Sequence, residues 1–186
     1  MRTWRRPLAA CVLALRNRVM AATGLRWRSG PFRLAYTPDR GLGLFAARDY
    51  APGEALIDLT GTPVGERGEY TIQIGRHSHL YPNAPLRYAN HSCEPNMGIR
   101  RGADGVLRFH ARGAIRRDEE IQWDYAMSEY DLANPGGAGV FPCGCGAAAC
   151  RGQVSGWKAL PDSVREQYRE WAMPYLLDDD AANAPD

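Results

Sequence analysis

Asn90, His91, Ser92 and Cys93 set an amide, an imidazole, a hydroxyl and a thiol on four adjacent residues. The Pro95-Asn96 pair behind them supplies a turn that would hold them still, so the run reads as a site and not as plain surface loop. Amide and imidazole offer directional donors and acceptors to a polar ligand. A thiol nucleophile activated by His91 is disfavoured, because side chains this close in sequence seldom point at one another.

Cys143-Gly-Cys145-Gly-Ala-Ala-Ala-Cys150 is the second chemical signal. Cysteines one residue apart cannot comfortably bond to each other, but both can turn toward one zinc ion, and Gly144 and Gly146 relax the backbone for it. Tetrahedral zinc needs a fourth ligand, and Cys93 is the expected donor, since the remaining thiol, Cys11, lies in an Arg-rich leader. Metal would then clip the tail onto the Asn-His-Ser-Cys loop; the bland alternative is free thiols in a flexible tail. Five cysteines, three of them within eight residues, do not make a disulfide framework. A reducing compartment follows, cytoplasmic or nuclear/nucleoid. His77-Ser-His79 has no nearby cysteine or acid and reads as loop.

Positioning these groups falls to short strands. The 186 residues allow one domain with a sizeable core, and 20 Gly and 13 Pro favour turns over long helices, so the expected class is mainly β with few helices. Strands are expected at 32–36, 42–46, 55–59, 70–74 and 120–125, with a hairpin from 97–101 and 106–111 about the turn Ala103-Asp104-Gly105. The division expected is a basic leader over 1–30, disordered or helical; a main domain over 31–133; a linker and cysteine segment over 134–157; a C-terminal helix over 158–177; and an acidic disordered tail over 178–186. That helix would start at Pro161-Asp162-Ser163 and carry Val164, Tyr168 and Trp171 on one face. The leader holds seven of the chain's 23 basic residues and no acid, leaving the rest net negative by five. Its arginines are a candidate contact for nucleic acid or an anionic surface. No apolar run reaches the ~18 residues of a membrane span.

Gly41-Leu42-Gly43-Leu-Phe-Ala46, Leu59-Thr60-Gly61, Arg87-Tyr-Ala-Asn-His-Ser-Cys-Glu-Pro-Asn96, Glu119-Glu-Ile-Gln-Trp-Asp-Tyr125 and the cysteine cluster follow one another along the chain. In that order and spacing they resemble SET-domain protein lysine methyltransferases with a post-SET zinc segment, over about Phe32 to Gly152. The resemblance implies a fold of small sheets in which the Asn-His-Ser-Cys segment and the Asp-Tyr segment thread past each other. It implies S-adenosylmethionine as methyl donor, contacted at Gly41, Leu42, Gly43, Arg87, Tyr88, Asn90 and His91, with structural zinc on Cys93, Cys143, Cys145 and Cys150. Tyr125 matches the catalytic tyrosine, and Trp123 and Trp157 are expected at the substrate channel, Trp157 as a lid; the alternative for Trp157 is ordinary packing of the tail. Leu59 and Trp123 depart from the tyrosine, and the phenylalanine or tyrosine, usual at those places. The implied partner is a lysine-bearing protein or peptide, basic or histone-like; the competing reading is a catalytically silent, zinc-stabilised binding module.

Overall fold

Alternation makes the strands. In Phe32–Thr37 the side chains of Phe32 and Leu34 are buried while Arg33 and Ala35 face outward, the two-residue period of a half-buried strand. The computed structural model describes residues 27–37, 40–133 and 139–182. Most of the leader with its proposed helix and nucleic-acid contact, the linker residues 134–138 and the last four residues lie outside the described residues.

In chain order the described strands are β1 (Trp27–Ser29), β2 (Phe32–Thr37), β3 (Gly41–Ala46), β4 (Ala55–Asp58), β5 (Gly61–Val64), β6 (Ile72–Gly75), β7 (Ser78–Pro82), β8 (Asn90–His91), β9 (Met97–Arg101), β10 (Leu107–Ala111), β11 (Gln122–Trp123), β12 (Phe141–Pro142) and β13 (Gln153–Val154). They form five small sheets, ordered β1-β2-β3, β4-β10-β9, β5-β7-β6, β11-β8 and β12-β13. The β9–β10 hairpin closes as expected, with Gly105 at φ +79° in its turn, a conformation that glycine adopts without a steric cost. Leu34, Leu44, Met97, Ile99, Phe109 and Ile121 fill the core with 1% exposure or less.

β8 and β11 are the one parallel pair among the described strands, with Asn90 opposite Gln122 and Trp123 opposite His91. The ladder continues through the Ser92 N–H, which donates to the Trp123 carbonyl at 3.0 Å. A parallel pair needs a long crossover between its members, here supplied by the β9–β10 hairpin, and the two segments lie side by side as the threaded loop requires. The strand expected at 120–125 is cut to two residues, because Asp124 caps a 3-10 turn, Tyr125–Met127.

The C-terminal helix expected over 158–177 is instead two helices, α1 (Asp162–Tyr168) and α2 (Pro174–Ala182). Pro174 explains the break: the residue before proline is disfavoured in the helical region, while proline suits a first helical position. Helix α2 also runs into the stretch expected as disordered from 178 onward. Trp27–Ser29, placed in the leader, is a strand pairing with β2. No helix among the described residues is long and apolar enough to cross a membrane.

Candidate functional site

Asn90 on β8 is fixed by two neighbours: its Nδ2 donates to Glu120 Oε1 at 2.8 Å and to the Leu42 carbonyl at 3.3 Å. The other Glu120 oxygen accepts from Arg40 Nη2 at 2.7 Å. Gly43 makes this cluster possible, since a Cβ there would lie 2.6 Å from Glu120 Oε1 and 3.1 Å from Asn90 Nδ2. Gly41 serves differently, entering β3 at φ +74° in the left-handed region that favours glycine.

Next along β8, the buried His91 accepts from the Tyr125 N–H through Nδ1 at 3.3 Å, and its Nε2 lies 3.4 Å from Cys93 Sγ. An Nδ1 that accepts leaves the ring hydrogen on Nε2, facing the sulfur. Burial pushes the His91 pKa down to about 4, against the upward pull of Asp124, so the ring is neutral at pH 7. His91 and Cys93, expected not to meet, do so because both fall on one side of an extended segment, two residues apart.

Tyr125 leaves the end of β11 with its hydroxyl donating to the Ala89 carbonyl at 3.4 Å. Its ring stands edge-on to His91 at 5.2 Å and tilted against Trp123 at 5.2 Å, while Trp123 stands edge-on to Phe109. Burial pushes the phenol up to about 12, so at neutral pH it is a hydroxyl that can donate and accept but cannot take a proton as phenolate would. All of this faces a cavity of about 700 Å³. Gly41, Leu42, Arg87, Tyr88, Asn90, His91, Trp123 and Tyr125 line it, with Cys143 and Cys145 at its edge. Arg87 is held on its wall by Tyr81, donating to the phenol oxygen at 3.0 Å and stacking over the ring.

Cys93, Cys143, Cys145 and Cys150 bring their sulfurs within 4.8 Å of one another, the only such metal-ligating group among the described residues. Four sulfurs at zinc's 2.3 Å bond length stand about 3.8 Å apart in a tetrahedron, and Cys93 and Cys143 are 3.8 Å apart. The N–H groups of Arg151 and Gly152 donate to Cys93 and Cys150 sulfurs at 3.4 Å each. Gly146 takes φ +72° between the thiols. Burial pushes the Cys93 and Cys143 thiols up, so a cation at the centre is what would favour their thiolates. The donor set and its geometry fit zinc.

Two expected residues stand elsewhere. Gly43 packs against Glu120 and Asn90 and does not line the cavity. Trp157, expected as a lid or channel wall, is 1% exposed in the core, its backbone N–H donating to the Glu129 carbonyl at 2.7 Å. Its indole is large and apolar enough that core burial outweighs a place at the rim. Leu59 is partly buried against the core and does not line the cavity. Sequence reasoning missed Arg40, Glu120, Asp124, Arg151 and Tyr168. The signal available was position: Asp124 precedes Tyr125, Arg40 precedes Gly41, and Arg151 follows Cys150.

Comparison with known proteins places this geometry. The SET domain family matches residues 41–126. The histone-lysine N-methyltransferase trr of Drosophila melanogaster is 30% identical over 145 residues, covering 67% of this chain and 6% of that protein. The methyltransferase flvH of Aspergillus flavus is 27% identical over 135 residues, 68% of each. The chain thus spans only a small part of the first relative and about two thirds of the second. The crystal structure of Arabidopsis thaliana SUVH6 in complex with SAM superposes with a TM-score of 0.54 at 20% identity, over 65% of this chain and 32% of that one. A matching family, a shared fold and the adjacent Asn90–His91 and Trp123–Tyr125 segments agree: residues 41–126 of this chain are a SET domain.

Proposed function

We propose that the protein is a lysine N-methyltransferase, taking a methyl group from S-adenosylmethionine and placing it on a lysine side chain of a protein or peptide. The observation that carries this reading is the Tyr125 hydroxyl held at the Ala89 carbonyl on the wall of the cavity that Asn90 and His91 also line. Relatives named for histone-lysine methylation and a similar structure holding SAM support it.

The cofactor supplies an electrophilic methyl group. In this reading Asn90, held by Glu120, and the neutral His91 present fixed polar edges to it, and the Gly41-Leu42 backbone approaches it closely. Arg87 and Tyr88 complete that wall. On the substrate side, Trp123 and the Tyr125 ring form apolar surface in which a lysine amine gives up its proton more readily, since desolvation disfavours the charged form. That matters because an amine of pKa near 10.4 is neutral only about once in two thousand at pH 7. Tyr125, itself protonated, orients the amine's lone pair without acting as a base.

Zinc on Cys93, Cys143, Cys145 and Cys150 would hold the cysteine segment against the cavity edge, and a reducing compartment, cytoplasmic, nuclear or nucleoid, suits its four thiolates. The excess of acids beyond the leader suits a basic, histone-like peptide.

Calorimetry with S-adenosylmethionine on zinc-loaded protein tests the reading. Wild type should bind; Asn90→Ala should bind at least about tenfold more weakly, from the loss of one or two hydrogen bonds. Tyr125→Phe should keep its affinity and lose transfer of labelled methyl to arrayed lysine peptides. Folded, zinc-loaded wild type that binds no cofactor would sink the enzyme and leave the binding module.

A further inference from the structure

Asp124 has no exposed surface, yet three distant parts of the chain meet on its carboxylate. Its Oδ1 accepts from the Ala126 N–H at 3.0 Å, capping the turn that Tyr125 opens. Its Oδ2 lies 2.6 Å from Arg151 Nη2 and accepts from the Tyr168 hydroxyl of α1 at 3.0 Å. Among the described residues Arg151 is the only arginine or lysine within ion-pair distance of it, the neutral His91 being the other neighbour at 3.5 Å. Arg151 in turn is the residue after Cys150, and its backbone N–H donates to Cys93 Sγ. The Tyr168 hydroxyl also lies 3.3 Å from the Cys93 carbonyl. One residue thus has its backbone on the thiol cluster and its guanidinium on the carboxylate beside Tyr125.

A buried carboxylate deprived of its one cation is left uncompensated and is drawn toward water. Asp124 cannot move that way without pulling on the Ala126 N–H, and with it on the turn that sets the Tyr125 ring against His91 and Trp123. The Arg151 N–H is held at the Cys93 sulfur, next to the Gly152 carbonyl that accepts from the Cys143 N–H; losing the metal would therefore loosen the same carboxylate from the other end.

We propose that Arg151 is a positioning residue, held by the metal-binding thiols and holding Asp124, and that with Tyr168 it fixes the Tyr125 side chain from outside the cavity. The importance of Tyr125 rests on the methyltransferase reading; the mechanical coupling does not.

The test uses the full zinc-loaded chain labelled with 3-fluorotyrosine, the Tyr125 fluorine resonance being assigned by its loss in Tyr125→Phe. Arg151→Gln should retain one equivalent of zinc, since it removes no thiol, while its Tyr125 resonance moves to the position seen in chelator-treated wild type. Arg151→Lys should lie between the two, and Tyr168→Phe should shift the resonance the same way by less. On a peptide that wild type methylates, Arg151→Gln should lower kcat about 10- to 100-fold, the usual cost of losing an orienting partner, with KM changed by less than about threefold. A Tyr125 resonance unmoved in zinc-loaded Arg151→Gln overturns the proposal. Should that variant not fold or not hold zinc, Tyr168→Phe decides, because it deletes one hydroxyl only, and an unmoved resonance there overturns the proposal as well. Binding of S-adenosylhomocysteine to wild type, measured alongside, separates the two readings: without it the methyltransferase fails while the fluorine spectra still report the coupling.

Discussion

The pair β8–β11 and the segment from Gly139 to Gly156 meet at Cys93 and are built in opposite ways. Around β8–β11 the chain is closed by burial: Met97, Ile99, Phe109 and Ile121 have no exposed surface, and His91, Ser92 and Trp123 are buried beside them. Along 139–156 the side chains of Val140, Phe141 and Pro142 are exposed, Val154 is the one large buried side chain, and the regular structure is the two-residue ladder β12–β13. A segment with so little apolar surface removed from water cannot offset the entropy of ordering itself. What orders it is the four sulfurs, so one region is folded by its core and the other by its ligand.

Removing the ligand should therefore produce the largest effect and confine it to one region. Structural zinc in small sites contributes about 10–16 kcal/mol of apparent binding free energy, more than a typical domain's whole stability. With a strong chelator present, hydrogen exchange should show the amides of 141–154 losing protection while those of β9 and β10 keep theirs. Equal protection in both states would mean that the segment folds without metal, and the contrast would fail.

Asp124 is where the contrast should blur, because both regions lean on its carboxylate. Asp124→Ala leaves Arg151 half-buried beside a void and removes the cap of the Tyr125 turn. Breaking a buried ion pair from one side costs about 3–5 kcal/mol, and that loss should appear in the denaturant midpoint of the core itself. Zinc content should fall less than in Cys93→Ser, since every thiol remains. A loss below about 1 kcal/mol would show the pair to be as weak as an exposed one, and the two regions to be independent.

Legibility in the sequence divides along the same line. The strands Phe32–Thr37, Gly41–Ala46 and Met97–Arg101 could be read because each is a short stretch with apolar side chains, bounded by Gly or Pro. The Cys143–Cys150 spacing could be read because metal chemistry is local in sequence, while Cys93 entered by counting ligands. Asn90–His91 and Phe141–Pro142 could not be read as strands, since two residues have no period and their pairing partner is set by the fold. Trp157 stayed undecided for a related reason: an aromatic beside a metal motif serves equally as lid or core, and only packing decides. Arg151 and Tyr168 were out of reach, because their role exists only once Asp124 has been buried between them.

The smallest effect sharpens the comparison from inside the core. Tyr125→Phe removes one hydroxyl whose hydrogen bond to the Ala89 carbonyl is long at 3.4 Å, so stability at pH 7 should change by no more than about 1 kcal/mol. With alkali the difference should shift against wild type. Burial raises the folded-state phenol to about 12, while the unfolded chain ionises near 10. Below pH 10 both states keep the proton and the shift contributes nothing that varies with pH. Between pH 10 and 12 the unfolded chain loses its proton and the fold does not, so the folded state binds more protons and stability falls as pH rises. Other tyrosines, the buried Tyr168 and the partly buried Tyr175 among them, are raised as well, but they are common to both proteins and cancel in the difference. Wild type should thus lose stability relative to Tyr125→Phe above pH 10, measured by urea unfolding at paired pH values. Parallel curves through pH 11 would place the Tyr125 hydroxyl in water, part of an exposed rim like Phe141 and not of the closed core that β8 and β11 share.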